Sequence, residues 1–574
     1  MQSSGKTLNN AMRSMHFSKA FLIVLAHGFS SASTHSGGKL SRFPDLPKVH
    51  SKYKHRVIQE AQNAFIDYLH TTRSLPFTFA EHIARNSIFS LCNLIKKIDS
   101  FYVSTFSRSF SKLLRYQPIN EFEFFFESIG IDHEDVPRFL PEKFLFSEDV
   151  SVLNVSFALS GFGFPWNTLG RLYKEKVSIF SQDSAQVIAR LRGFKEYGFC
   201  NLSVVGICLA FPHLLSLEGH SGCDDIDSLF DDLKRVYVEL NMGSFVEGNV
   251  DGWYEVCCKV KVFYDLGCEK GKVGEWICRK KELFLNCPND LLLRKVDYFC
   301  EFGVRKDYVG WFLLKNPKVL SLDLETPVIS VLRLLEHFGL NTKKLQEVSQ
   351  NYNHVLGRNK MANLPQVMRA LDLHEWFFNK IMYTNSRLLV TYSIGFPDQD
   401  IDEEFNKALK EIESSRLHAH TASKLDFLKG IGFGENASTI KVLNHSHGTS
   451  SELQERFDCL LGAGISYSKL CLMINISPKI LSQSPEILEK KVNFLCQEID
   501  SSLEILDSFP RYLNFHLENR IKRRHNFFLW LRENGLCAKN YSISSMVATS
   551  ERNFIARLSG DISENRVNGD TKTP

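Results

Sequence analysis

Between Pro510 and Glu533, six cations (Arg511, Arg520, Lys522, Arg523, Arg524 and Arg532) stand against two carboxylates, Glu518 and Glu533, a local charge of +4. Guanidinium and ammonium groups at this density neutralise phosphates and release the counterions condensed on them. That confers affinity for a polyanion with little discrimination among bases. The competing reading is a solvated helix face that keeps the chain soluble. A second cationic set is periodic: Lys318, Lys479 and Arg511 each follow a proline, and His213 follows a fourth. Equivalent positions of stacked repeats line up in space, so these residues could form a cationic ridge along one wall; exposed turn chemistry is the alternative. Arg279, Lys280 and Lys281 read as a solvated helix end.

Other chemistries find little support. No GxxxxGK[ST], no GxGxxG after a strand and no GxSxG elbow occurs, so no catalytic residue and no cofactor is expected. The H-x-H pairs His418/His420 and His445/His447 lie in polar loops without partners at zinc spacing, and no metal site is expected. The acidic run Asp224, Asp225, Asp227, Asp231 and Asp232 lacks the glycine and closing glutamate of a calcium loop and reads as a solvated insertion, away from any DNA. The 14 cysteines include no CxxC pair and sit mostly among apolar neighbours, as reduced core thiols in a reducing compartment do. The aromatics of FEFFFES and NFFLWL fall at helical spacing and read as core.

The elements that must position the cations follow from punctuation. At 574 residues the chain exceeds one compact core. Glycines followed by an apolar residue recur at Gly130, Gly163, Gly198, Gly267, Gly303, Gly339, Gly464 and Gly535, with adjacent spacings of 33 to 36 residues; Gly198 to Gly267 is 69, two periods. Leu373, Gly432 and Ile499 look like substitutes, and Asp398–Ser415 like a charged insertion. In three copies a proline follows fourteen residues later: Pro212, Pro317 and Pro478. Pro510 opens a fourth such segment, FPRYLNF. Glycine accepts the left-handed backbone that stops a first helix. A polar residue such as Asn201 caps a second helix, and proline ends it. Leu320 and Leu322 then tuck a short third segment against the pair. Lys174, Glu282, Asn353 and Ser386 stand near the proline's place in divergent units. Each unit exposes an apolar side that only a neighbour can cover. The expectation is an all-α, right-handed superhelical solenoid of ~30–36-residue helix–helix–3₁₀ repeats over 118–558.

Ahead of the repeats, residues 45–117 read as a helical segment: a helix from Ser51 to His70, a second over Phe79–Ile98, and a Ser/Phe-rich connector to Gln117. Residues 1–44 hold five Lys and Arg and no acid, and read as an organelle transit peptide; a secretory signal is the rival. The remaining chain is close to neutral, at −1. Residues 559–574 read as a disordered tail. No run is long and apolar enough to span a membrane.

The repeats resemble the mitochondrial transcription termination factor (mTERF) family, with its two helices and a 3₁₀ turn carrying proline and leucine. The ending is the most specific part: FPRYLNFHLENRIKRRHNFFLWLRENGL followed by SISSMVATSERNFIARL. It is similar to the family's closing tyrosine-leucine turn, R-I-x-P-R element and Phe-Ile-x-Arg-Leu. Arg520, Ile521 and Arg524 match that element, while Arg523 replaces the proline. SLPFTFAEHIARNS and PINEFEFFFESIGI are closest to plant mitochondrial members. The resemblance implies a factor that regulates mitochondrial transcription, by termination or transcript maturation, and clamps double-stranded DNA in a basic groove, with RNA as the second choice of target. On that reading Arg511, Arg520, Lys522, Arg523, Arg524, Lys479 and Lys318 bind nucleic acid, and replacing Arg520, Arg523 and Arg524 by glutamate abolishes binding. The expected setting is the mitochondrial matrix or nucleoid, with the chloroplast as runner-up, and the expected state a monomer. The alternative is a helical adaptor or RNA-binding factor that acts on transcript splicing or stability through RNA or protein partners of the expression machinery.

Overall fold

The computed structural model describes residues 46–47, 49–98, 105–216, 223–239, 249–328, 330–384, 387–390, 403–414, 420–534, 536 and 541–559. The leader over 1–44 and all but the first residue of the tail over 559–574 lie outside them. The chain divides into two compact units, one ending at Leu293 and one starting at Arg294. Both are built from α-helices and short 3₁₀ turns. Among the described residues the only ladder is a two-residue antiparallel pair, Pro327–Val328 against Asn359–Lys360.

The punctuation works as its chemistry dictates. Gly130, Gly163, Gly198, Gly267, Gly303, Gly339, Gly432 and Gly464 all have φ between +77° and +129°; Gly535 lies outside the described residues. Two substitutes are corrected by one position: Asp372 (φ 56°) and Asp500 (φ 53°) take the left-handed conformation, not Leu373 and Ile499. A short polar side chain tolerates that region far better than leucine or β-branched isoleucine.

The proline signal is equally uniform. Pro212, Pro317, Pro478 and Pro510 each open a 3₁₀ turn: Pro212–Leu215, Pro317–Ser321, Pro478–Ser482 and Pro510–Asn514. The preceding residues Phe211, Asn316, Ser477 and Phe509 share φ from −124° to −140° and ψ from 54° to 76°. The proline ring disfavours the helical conformation for them. In every copy the proline and the next two apolar side chains are buried.

Caps fall where short polar side chains precede a second helix, as at Asn341, Asn436 and Ser542. Asn201 is not one of them. The N-cap of helix Asn201–Ala210 is Cys200, whose thiol lies 3.1 Å from the Ser203 hydroxyl. That helix also carries Gly206, where a Cβ would come within 2.4 Å of Trp253 Cβ, so only glycine lets helix Val250–Asp265 pack so closely.

The two periods between Gly198 and Gly267 hold, among the described residues, one inserted helix, Cys223–Glu239, rather than a full pair. Among its described acids Asp227 and Asp231 are exposed, as expected, and only Asp232 departs from the solvated reading. Asp232 is buried and accepts from the Tyr264 hydroxyl (2.6 Å) and from the backbone N–H groups of Gly271 (2.8 Å) and Gly274 (2.9 Å). Asp227 accepts from Tyr197.

At the N-terminal end, helix Lys54–Arg73 buries Val57, Ala61, Phe65, Tyr68 and Leu69 as its periodicity predicts. The second expected helix is two, Phe77–Asn86 and Ile88–Lys96, broken at Ser87. Glu127 caps the latter through Phe89 N–H and Ser90 N–H, both at 2.8 Å. Buried Glu121 accepts from the Tyr68 hydroxyl (2.7 Å) and from Arg73 (2.5 Å). Glu121, just ahead of FEFFFES, and Glu127 within it thus tie the N-terminal helices to the first repeat, while the phenylalanines fill the core. The stretch read as a connector contains an eleven-residue helix, Phe106–Tyr116, which buries Phe106, Phe110, Leu113 and Leu114 and packs on Lys54–Arg73.

Candidate nucleic-acid interface

The seven cations singled out by the sequence separate into four that are exposed, two that turn inward and one, Lys522, that is half-buried. Arg511, Arg523, Lys479 and Lys318 are exposed. The turns that carry Lys479 and Arg511, Pro478–Ser482 and Pro510–Asn514, pack against each other, joined by a 2.6 Å hydrogen bond from Asn514 to Ser477. Two rungs of the expected ridge therefore lie on neighbouring turns. Lys318 sits on Pro317–Ser321, which packs against helix Arg387–Val390 instead. His213 is exposed on its own turn in the other unit.

Arg520 and Arg524 are turned inward. Arg524 is 3% exposed; its guanidinium donates to the carbonyls of Met546 (2.9 Å) and Thr549 (2.7 Å), pairs with Glu551 at 2.5 Å and lies 4.8 Å from the Phe554 ring centre. Arg520 donates to the carbonyls of Val547 (2.8 Å) and Thr549 (2.9 Å) and stacks over Phe515. Both heads close the C-terminal end of helix Ile543–Ala548, where unpaired carbonyls and the negative end of the helix dipole favour cations. Contact with Arg524 holds the Glu551 carboxyl below the usual carboxylate range. A phosphate reaching Arg524 would have to displace these acceptors. The two halves of the closing pattern, R-I-x-x-R and Phe554-Ile555-x-Arg557-Leu558, are therefore partners in one contact. Lys522 is half-buried and pairs with Glu518 at 2.6 Å, one helical turn away.

Helix Arg523–Glu533 corrects the aromatic reading. Phe528 and Leu531 are core, but Phe527 and Trp530 are 44% and 52% exposed, with rings nearly parallel at 11° and 6.2 Å apart. Arg523 shares their exposed side, one turn before Phe527.

Sequence reasoning missed a set of cations that serve the repeats internally. In five units a cation on the first helix donates to a carbonyl in or just after the same unit's third segment. These are Arg190 to Leu215, Lys259 to Phe284 (2.8 Å), Lys295 to Leu322, Arg456 to Leu481 (2.8 Å) and Lys491 to Leu513 (2.7 Å). Gln182 and Gln483 reinforce two of these contacts. Burial pushes the Lys259 ammonium below its ordinary value and Lys491 down to about 8. The available signal was a cation about 25 residues ahead of the apolar residue closing the turn.

Two further places offer little for ligand chemistry. A cleft of about 690 Å³ beside the short ladder is lined by Arg358, Lys360, Lys429, Glu325, Asp426 and Glu435, but Lys360–Glu325 and Lys429–Glu435 neutralise each other at 2.7 and 2.6 Å. Among the described residues no three His, Cys, Asp or Glu side chains are placed to hold a metal ion, and no helix is long and apolar enough to cross a membrane. His418 lies outside the described residues; His445 Nδ1 is hydrogen-bonded to the Lys441 carbonyl at 2.8 Å.

Comparison with known proteins agrees with this architecture. The mTERF family pattern matches residues 254–374 and 378–555. The Arabidopsis thaliana protein "Transcription termination factor MTEF18, mitochondrial" is 51% identical over 514 residues, covering 89% of this chain and 92% of that protein. "Transcription termination factor MTERF8, chloroplastic", also from Arabidopsis thaliana, is 23% identical over 288 residues, 49% of this chain and 52% of that protein. The extent of both the family match and the first relative leaves one assignment: the chain belongs to the mTERF family.

Proposed function

We propose that the protein is a mitochondrial regulator of transcription that acts by binding nucleic acid, duplex DNA above all, without covalent chemistry. The observation that carries this reading is likeness along 89% of the chain to a relative named a mitochondrial transcription termination factor. The same name carries the mitochondrial location expected from the sequence. The binding set we assign is Lys479 and Arg511 on neighbouring turns and Arg523 beyond them, with exposed Lys318 and half-buried Lys522 in support. Such cations hold phosphates and position a duplex without reading its sequence. A helical array laid along the duplex would then obstruct a moving polymerase sterically.

The test is duplex binding by the K479E/R511E/R523E variant, whose substitutions are all at exposed positions. Affinity should collapse while the thermal melt stays unchanged. Wild-type affinity in that variant refutes the site. A second reading, RNA or a protein partner in transcript processing, is favoured by the exposed Phe527 and Trp530 rings beside Arg523, since unpaired bases stack on such surfaces. Preference for single-stranded RNA over duplex DNA, lost in W530A, would replace the first reading by the second.

A further inference from the structure

The charge of this chain is divided in a way its near-neutral total conceals. Residues 46–117 hold eleven Lys and Arg against four Asp and Glu, a net +7, whereas residues 118–574 hold 53 against 60, a net −7. The family match begins only at residue 254. The most basic folded part of the chain therefore lies outside the matched repeats.

Much of that charge is presented by one helix. Phe106–Tyr116 carries Arg108, Lys112 and Arg115 and no acid. Their i, i+4, i+7 spacing sets them in one stripe. All three are exposed, and none has a hydrogen-bond or ion-pair partner among the described residues. Tyr116, 78% exposed, stands at the stripe's end. On the helix beneath, Lys54–Arg73, Glu60 is engaged by Arg56 at 2.9 Å, leaving Asp67 as its exposed acid. By contrast Arg73 and Arg85 elsewhere in the segment are committed to Glu121 and Glu81.

We infer that this helix is a second phosphate-binding surface, engaging the sugar–phosphate backbone of nucleic acid; the inference rests on the nucleic-acid reading above. Seven residues at 1.5 Å rise make the stripe about 10 Å long. At 3.4 Å per nucleotide along the axis, that spans about three phosphates of one strand, one per cation. An anionic membrane is the poorer match. A helix that lies in a bilayer surface inserts its apolar side, and here Phe106, Phe110, Leu113 and Leu114 are all buried in the protein.

The experiment is fluorescence anisotropy of the full chain with a labelled DNA duplex at several salt concentrations. It compares wild type, R108Q/K112Q/R115Q and the charge-preserving R108K/R115K. Each lost phosphate contact lowers the slope of log affinity against log salt by about 0.9. The glutamine variant should therefore show a slope shallower by about 2.7, with the lysine variant unchanged. The leader is common to all three proteins and cancels. An unchanged slope in the glutamine variant, with wild-type binding intact, overturns this surface and leaves the nucleic-acid reading standing. Absence of wild-type binding overturns both. Loss of adsorption to phosphatidylcholine–phosphatidylserine vesicles without a change in slope assigns the helix to a membrane and overturns the inference.

Discussion

Replacing Arg524 by alanine should unfasten the last helices rather than remove a phosphate contact. The side chain is buried, and its two best hydrogen bonds, to Met546 and Thr549, have a charged donor. Such bonds contribute about 1.5–3 kcal/mol each. The Glu551 carboxylate is 60% exposed, so that pair adds less than about 1 kcal/mol. Part of the loss is offset, because Arg520 still serves the Val547 and Thr549 carbonyls. The expected net cost is about 3 kcal/mol, concentrated in residues 541–559. Hydrogen exchange should then speed up roughly 100-fold in helix Ile543–Ala548 and over 551–559, with smaller effects elsewhere. R524K keeps the charge but loses the two-pronged geometry and should fall between. If R524A leaves exchange in this region unchanged while duplex binding is lost, the guanidinium reaches the ligand and the structural assignment is wrong. A charge reversal of Arg520, Arg523 and Arg524 together confounds the two roles, because two of its three sites hold the fold.

Three other outcomes are expected. Lys491 titrates at about 8 when folded, against 10.5 for a free lysine, so the unfolded chain binds more protons between those values. Stability should rise with pH across that window, and urea midpoints of Lys491→Met should lack the rise. His354 is buried, neither ring nitrogen has a hydrogen-bond partner in the protein, and burial lowers it to about 4 from 6.5. Stability should therefore fall as pH drops from 6.5 towards 4, by up to about 3 kcal/mol, and His354→Leu should remove that part of the acid sensitivity. Partial burial opposes ionisation of Cys200, but the Ser203 hydroxyl and the backbone N–H groups of Leu202 and Ser203 outweigh it and lower the thiol's pKa. It is also the exposed one among the described cysteines. Iodoacetamide at neutral pH should label Cys200 first among the described cysteines, and prior labelling of Cys459 or Cys496, both half-buried, would contradict this.

Local backbone chemistry was written in the sequence. Glycine, or a short polar residue such as Asp372, accepts the left-handed stop, and proline biases the preceding residue away from the helix; both rules act within a few residues. The repeat, its all-helical class and the family likeness of the ending were therefore legible without coordinates. The roles of individual charges were not. Arg523 and Arg524 are adjacent in the chain, yet one faces solvent and the other four carbonyl and carboxylate partners. Asp231 and Asp232 divide in the same way. Successive positions on a helix point about 100° apart, so which of two like residues is buried depends on where the next element packs. Tertiary structure alone sent Arg520, Arg524 and the repeat cations inward to orphaned carbonyls, and left Phe527, Trp530 and the Arg108–Lys112–Arg115 stripe outside.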